Sequence, residues 1–175
     1  MRHLLAAAAM ATFSTAVLTS PLWAEMTMLG DLHIEAPMLR ATPPGAPVAG
    51  GFVTIENTGD TDDTLTAASV ATDLSGMVQL HEMTMSDGVM SMSEVAGGIV
   101  LPAGERVTLM PGGLHIMLMG LERPLDAGAS HPVTLIFKQA GEITLDFPVM
   151  SLAEIRAALE AGGADGDDPH TGHGN

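Results

Sequence analysis

The chain has 175 residues, a formal net charge of −15, 14 methionines and no cysteine. Its length is that of one domain with a hydrophobic core of its own. The acidity disfavours binding to nucleic acid or anionic lipid, and the lack of cysteine excludes disulfides, thiolate metal sites and thiol nucleophiles.

The first 24 residues have the pattern of a secretory signal peptide. Arg2 and His3 precede an apolar run that ends in the small residue Ala24. Cleavage there would start the mature protein at Glu25, and an uncleaved membrane anchor is the alternative. Because no later segment is apolar enough to span a bilayer, we expect a periplasmic protein that is not held in the membrane after cleavage.

Residues 25–150 predict an all-β domain. Short runs with alternating polarity are bounded by Gly, Pro and Asp, as in "GGFVTIENTG", "RVTLMPGG", "LHIMLMGL" and "HPVTLIFKQAGEITLDFPV". Roughly eight strands at about ten-residue spacing are typical of a sandwich or barrel. The Pro- and Gly-rich residues 41–51 are expected to form a loop.

Residues 151–175 predict a short helix and a flexible tail. Ser151, with Glu154 three positions later, forms the pattern of a capping box before "LAEIRAALEA". The tail is polar and Gly-rich, which is typical of disorder. It contains His170 and His173 among aspartates, and we expect either a solvated terminus or a weaker Cu(II) site, since Cu(II) accepts imidazole and carboxylate.

Two segments concentrate methionine beside histidine. They are "LHEMTMSDGVMSMSE", with His81, Met83, Met85, Met90 and Met92, and "GGLHIMLMGL", with His115, Met117 and Met119. The dipeptide Asp87-Gly88 favours a two-residue hairpin turn. Such a turn pairs the four methionines of the first segment in two cross-strand pairs and places them on one sheet face with the histidine.

The second segment has the same alternation. His115, Met117 and Met119 share one face of the strand, while the aliphatic residues between them share the other. The aliphatic face is suited to a core. A methionine stripe can also fill gaps in a core, but two stripes that each carry a histidine in phase favour a binding site.

The donor types indicate a soft metal ion. Thioether and neutral imidazole prefer Cu(I) to Mg²⁺, Ca²⁺ or Zn²⁺, and a set of two histidines and one or two methionines has no charge. A zinc site would usually contain cysteine, carboxylate or a third histidine as a further ligand. Glu82 has the wrong parity for the site, and Glu94 is expected to lie beyond it. From the residues alone the prediction is a soft-metal site.

These residues resemble the periplasmic copper chaperones of the PCuA(C) family, whose signature is a His, a Met eleven positions later and a His-x-Met. His81 and Met92 match the first part, and "HIM" supplies His115 and Met117. The segments "GDLHIEAP", "RATPPGAPVAGGFVTIENTGD", "DGVMSM" and "LPAGERVTLMPGGLHIMLMGL" also match. The stretch between Met92 and His115 is one residue longer than usual, and Met38 stands where the family commonly has Trp.

The resemblance implies a cupredoxin-like (Greek-key) β-sandwich that binds one Cu(I) through His81, Met92, His115 and Met117. It implies a non-enzymatic chaperone that delivers copper to the dinuclear site of cytochrome c oxidase subunit II, directly or through Sco-type proteins, and we expect a monomer. The alternatives are a copper-tolerance or storage protein, an electron-transfer cupredoxin, which the lack of cysteine opposes, and a structural sandwich without metal. His33 and His131 are expected to be surface or structural residues.

Overall fold

The computed structural model describes residues 26–86 and 88–163, which are mostly β-strand. In order, these ranges contain β1 (Thr27–Leu29), β2 (Leu32–Arg40), β3 (Val48–Asn57), β4 (Asp63–Ser69), β5 (Ser75–Ser86), β6 (Val89–Glu94), β7 (Ile99–Leu101), β8 (Arg106–Leu109), β9 (Leu114–Leu121), β10 (Ser130–Phe137), β11 (Glu142–Met150) and α1 (Leu152–Gly163). No helix within them has the length and apolarity needed to cross a membrane. The predicted signal peptide, its cleavage site after Ala24 and the tail with His170 and His173 lie outside the described residues.

The strands form two layers around a shared apolar core. Hydrogen-bonded neighbours follow the order β6-β5-β9-β3-β2-β11-β10-β4-β7, with β1 on β2 and β8 on β3. Strand β11 joins the layers, because it pairs antiparallel with β10 and parallel with the end of β2. Buried residues from both layers meet in one cluster, among them Ile34, Val53, Ile116, Leu65, Leu135 and Phe147. The all-β prediction is confirmed, and the strand number exceeds the expected eight because pieces as short as β1 and β7 add to it.

Strand β3 shows which face of the first layer points to the core. Val53 and Ile55 are fully buried in the central cluster. Because side chains alternate along a strand, Gly50 and Phe52 point to the outer face of that layer. The predicted ligands on β9 lie on the same outer face, because β9 pairs with β3 and places Met117 opposite Gly50.

Residues 41–51 differ from the prediction of a loop, because β3 begins at Val48. Gly50 and Gly51 take part in the sheet and lie opposite Met117 and Ile116 of β9. Neither glycine has a positive φ, so both adopt ordinary extended backbone. The two glycines favour a loop when only the sequence is considered. In the structure, the neighbouring strands on both sides keep this segment in the sheet.

The hairpin of β5 and β6 has the predicted register. Its pairs are Met83 with Met92, Met85 with Met90 and Ser86 with Val89. Gly88 has φ of 78°, a conformation that glycine adopts without steric cost in a tight turn. Asp87 lies outside the described residues. The parity argument for the methionine face is therefore confirmed for this hairpin.

Helix α1 begins with the predicted capping box. The backbone N–H and the hydroxyl of Ser151 donate to Glu154 Oε2 at 2.8 and 2.6 Å, and the Glu154 N–H donates back to Ser151 Oγ at 3.3 Å. Ile155 is fully buried and packs with Met38, Phe52 and Met150. The helix thus covers part of the outer face of the first layer, next to the predicted site.

Candidate metal centre

The sheet register brings the two predicted histidine ligands side by side. His81 of β5 lies directly opposite His115 of β9, and their ring centroids are 5.8 Å apart with the planes at 61°. The two residues are only 9% and 5% exposed. A bound metal lies about 2 Å from a ring nitrogen, and two rings at this spacing can therefore reach one ion.

Met92 and Met117 flank the histidine pair. Met92 lies opposite Met83, two residues beyond His81 on β5, and Met117 lies opposite Gln79, two residues before it. The four predicted ligands thus share one face of three adjacent strands. That they ligate a metal stays a prediction.

A cavity of about 350 Å³ opens over this face. Its walls include Met83, Met92, His115 and Met117, together with the segments that precede β3 and β9. His81 is not part of the wall and adjoins the site through the ring of His115. The structure therefore places three of the predicted ligands, together with Met83 of the same methionine face, around one cavity.

His115 is oriented by the loop that precedes β9. Its Nδ1 lies 2.9 Å from the carbonyl oxygen of Gly113, which can only accept, so Nδ1 carries the proton in the neutral ring. The lone pair of Nε2 is then available to a metal. A backbone carbonyl that holds the second ring nitrogen is the usual support of a histidine ligand.

His81 has a buried nitrogen without a partner. Its Nε2 lies 3.0 Å from Gln79 Oε1, whereas its Nδ1 is buried and has no hydrogen-bond partner among the described residues. A buried polar atom without a partner is costly. A metal ion bound at this atom would remove that cost, and the residues present therefore fit a metal.

Gly50 and Phe52 shape the cavity from β3, and both line it. Gly50 lies opposite Met117, and a Cβ added there would meet Phe52 Cζ at 3.0 Å. Phe52 is buried on its other side against the residues that hold α1. The missing side chain at Gly50 leaves room beside the thioether of Met117.

The donor set is neutral and soft. Within residues 26–86 and 88–163 no group of three His, Cys, Asp or Glu side chains is placed to hold a metal. The exposed Glu82 lies on the opposite face, as predicted. Glu94, which was expected to lie beyond the cluster, instead pairs with His81 and accepts a hydrogen bond from Gln79. Two imidazoles and two thioethers suit Cu(I).

The remaining candidates lie elsewhere. Met119 and Met77 pair with each other one step beyond Met117 on the same face. His33 lies on β2, and His131 is half-buried on β10, where burial, and then the charge of Arg123, lower its pKa against the opposing effect of Asp73. Neither histidine lines the cavity.

Comparisons with known proteins give the family. Residues 32–149 match the family model described as "Putative lipoprotein LpqE-like". The "Putative lipoprotein Lxx21020" of Leifsonia xyli subsp. xyli is 36% identical over 105 residues, which cover 60% of this chain and 62% of that protein. The chain thus spans about three fifths of the length of this curated relative.

Two solved structures have the same fold. The apo PCuAC domain from PmoF1 is 29% identical with a TM-score of 0.61, and the match covers 73% of this chain and 99% of that domain. The copper-bound PCuAC domain from PmoF2 is 30% identical with a TM-score of 0.60, and the match covers 73% and 98%. The predicted cupredoxin-like fold is confirmed.

Proposed function

The chain belongs to the LpqE-like family and has a PCuAC-type domain, and on this premise we propose that it is a Cu(I) carrier of the cell envelope, not an enzyme. The observation that carries the proposal is the meeting of thioether and imidazole donors at one cavity. The similar PCuAC domain from PmoF2 binds copper. Copper is here the cargo, and the chain supplies the ligands.

One Cu(I) is held, in this proposal, by His81, Met92, His115 and Met117. The two buried rings supply nitrogen donors whose orientation is set by hydrogen bonds on their other atoms. The thioethers favour the monovalent ion over harder divalent ions. No ligand carries a charge, so the electrostatic attraction between the ligands and the ion is weak. Such a site is suited to a carrier that must release its copper.

Release begins at Met92 in this mechanism. Met92 is 48% exposed, whereas both histidines are buried, so it is the ligand that an acceptor can reach first. Its cross-strand neighbour Met83 also lines the cavity and can take its place during exchange. An acceptor with thiolate ligands binds Cu(I) more tightly than thioethers do, and transfer to it is therefore favourable.

We further propose where the protein acts and whom it supplies. The signal-peptide pattern of residues 1–24 and the lipoprotein names of its relatives support export to the periplasm. The family resemblance supports the dinuclear copper site of cytochrome c oxidase subunit II as the recipient, reached directly or through Sco-type proteins, with the carrier acting as a monomer.

Titration of the protein with Cu(I) against a competing chelator tests the copper site. We expect one tight equivalent, with sulfur and nitrogen neighbours in the X-ray absorption spectrum. The double variant Met92→Ala with Met117→Ala should lose most of the affinity. The matched control is Met26→Ala with Met28→Ala, which also removes two methionines, 52% and 63% exposed, and should change nothing.

Three results would contradict the proposal. A spectrum with only nitrogen and oxygen neighbours would exclude the thioether ligands. No Cu(I) binding at all would favour a structural sandwich. Tight binding without transfer to an apo acceptor that contains thiolates would instead favour copper storage or tolerance.

A further inference from the structure

Three side chains form a hydrogen-bonded chain on the outer face beside the copper site. Gln79 Nε2 donates to Glu94 Oε2 at 3.0 Å, and Gln79 Oε1 lies 3.0 Å from His81 Nε2. The strand register fixes these neighbours, because Glu94 lies opposite His81 and Gln79 is two residues before it on β5. The chain runs from an exposed carboxylate to a buried ring.

The carboxylate determines the direction of every hydrogen bond in this chain. An ionised carboxylate can only accept, so Gln79 must turn its amide NH₂ toward Glu94. Its carbonyl oxygen then faces the ring, and His81 Nε2 must donate its proton to that oxygen. In the neutral ring, the lone pair is therefore on Nδ1, which is the buried atom without a hydrogen-bond partner.

The second histidine has the opposite arrangement. His115 donates its Nδ1 proton to the carbonyl oxygen of Gly113, which leaves the lone pair on Nε2. The two neighbouring rings on β5 and β9 thus offer different nitrogen atoms to a metal, Nδ1 in His81 and Nε2 in His115. A hydrogen-bond acceptor on the second nitrogen fixes the tautomer of a histidine ligand and raises the basicity of the nitrogen that binds the metal. These hydrogen bonds therefore determine which nitrogen of each ring can bind a metal.

We propose that Gln79 and Glu94 are positioning residues that hold His81 in the Nε2–H tautomer, so that it binds Cu(I) through Nδ1 while His115 binds through Nε2. This inference rests on the proposed copper function. Neither positioning residue touches the metal. Their effect on affinity comes through the protonated nitrogen of His81 and the orientation of its ring.

The tautomers can be measured without copper by ¹⁵N NMR of the histidine rings in the full-length apo protein. We expect the Nε2–H form for His81 and the Nδ1–H form for His115. After addition of Cu(I), which is diamagnetic, the large ¹⁵N shift should appear at Nδ1 of His81 and at Nε2 of His115. A shift at Nε2 of His81 would mean that copper displaces Gln79, and it would overturn the proposal.

Reversal of the carboxylate gives the sharpest variant. In Glu94→Lys the ammonium group donates, so Gln79 must turn its carbonyl toward residue 94 and its NH₂ toward the ring. His81 should then carry its proton on Nδ1, and Cu(I) affinity should fall about 10- to 100-fold. Glu94→Gln keeps an acceptor and should retain the wild-type tautomer and most of the affinity.

Glu82→Lys is the matched control. It makes the same change in net charge on the same hairpin, but Glu82 is exposed and lies on the opposite face. It should alter neither the tautomer nor the affinity. Equal losses of affinity in Glu82→Lys and Glu94→Lys would show a charge effect alone and would overturn the proposal.

The outcomes separate this inference from the function on which it rests. Tight Cu(I) binding with sulfur neighbours and an Nδ1–H tautomer for His81 would overturn the positioning role and leave the carrier function intact. No Cu(I) binding by the wild-type protein would overturn both. The expected tautomers with selective loss in Glu94→Lys support both.

Discussion

Replacement of Gly50 by valine should weaken copper binding with little loss of stability, whereas the same change at Gly51 should do the reverse. The two residues are neighbours in β3 and their side-chain positions point to opposite faces. Gly50 faces the cavity, and Gly51 faces the central core. Valine is well accepted in strands, and neither position has a positive φ, so the backbone does not forbid the change.

At Gly50 the added side chain meets the site. Its Cβ would lie 3.0 Å from Phe52 Cζ, and the two methyl groups would lie beside Met117, the opposite residue in β9. If Met117 is held about 30° from a favoured rotamer, the cost is about 0.5–1.5 kcal/mol, or roughly two- to tenfold in affinity. The loss of stability from the displaced Phe52 ring is offset by about 0.4–1 kcal/mol from the stiffer unfolded chain.

At Gly51 the added side chain meets the core. Its Cβ would lie 3.2 Å from Leu39 Cδ2 and 3.3 Å from Ile116 Cβ, and both residues are fully buried. Overpacking of this kind costs about 1–3 kcal/mol, of which the stiffer unfolded chain offsets about 0.4–1 kcal/mol, as at Gly50. The proposed copper ligands lie on the other face, so the affinity of the folded protein should stay unchanged.

Urea denaturation of the apo proteins and Cu(I) competition titration measure the two effects separately. Equal losses of stability in the two variants, with unchanged affinity in both, would show that Gly50 does not face the copper site. A loss of affinity in the Gly51 variant as large as that in the Gly50 variant would show that the two faces are not independent.

The apo protein should have the circular dichroism of a folded β-sheet protein, because the inner faces of the ligand strands pack in the core; a sheet signal that appears only with copper would contradict this. Cu(I) affinity should fall in acid with a limiting slope of two protons per copper, since only His81 and His115 among the four ligands can be protonated; a steeper slope that deletion of residues 164–175 removes would add the tail histidines to the site. Ser151→Ala should lower the free energy of unfolding in urea by about 1 kcal/mol, and an unchanged midpoint would exclude a stabilising cap. The hydrogen bonds from Ser151 lower the pKa of Glu154 from its ordinary 4.5. The stabilisation that they give is therefore present above pH 4.5 and is lost as the pH falls through the lowered pKa. For this reason, Ser151→Ala should lower the free energy of unfolding by less in acid than at neutral pH.

Local signals predicted the hairpin and the ligand face from the sequence. Gly88 with its preceding Asp set the turn, and the register of Met83 with Met92 followed from counting outward. The capping box of Ser151 and Glu154 was equally local, because both partners lie within one turn. In each case, neighbouring residues along the chain determine the geometry.

Contacts between distant segments could not be predicted in this way. The pairing of His81 with His115 depends on the register of β5 against β9, which no turn connects directly. Glu94 was expected to lie beyond the site, although the hairpin register that pairs Met83 with Met92 also places it opposite His81. Only its hydrogen bond with Gln79 depends on side-chain positions that the sequence does not give. Gly50 was expected in a loop, because glycine usually weakens a strand and because three prolines precede it in residues 41–51.

The exposure of the methionines has a consequence for the chemical lifetime of the site. Oxidation converts a thioether into a polar sulfoxide, which no longer offers Cu(I) the same soft sulfur. Met85, Met90 and Met92 are 71%, 54% and 48% exposed, whereas Met38 and Met150, which pack against α1, are 1% and 4% exposed. Peroxide should therefore oxidise the exposed methionines of the proposed copper site while the fold stays intact, so that copper binding would be lost before conformational stability.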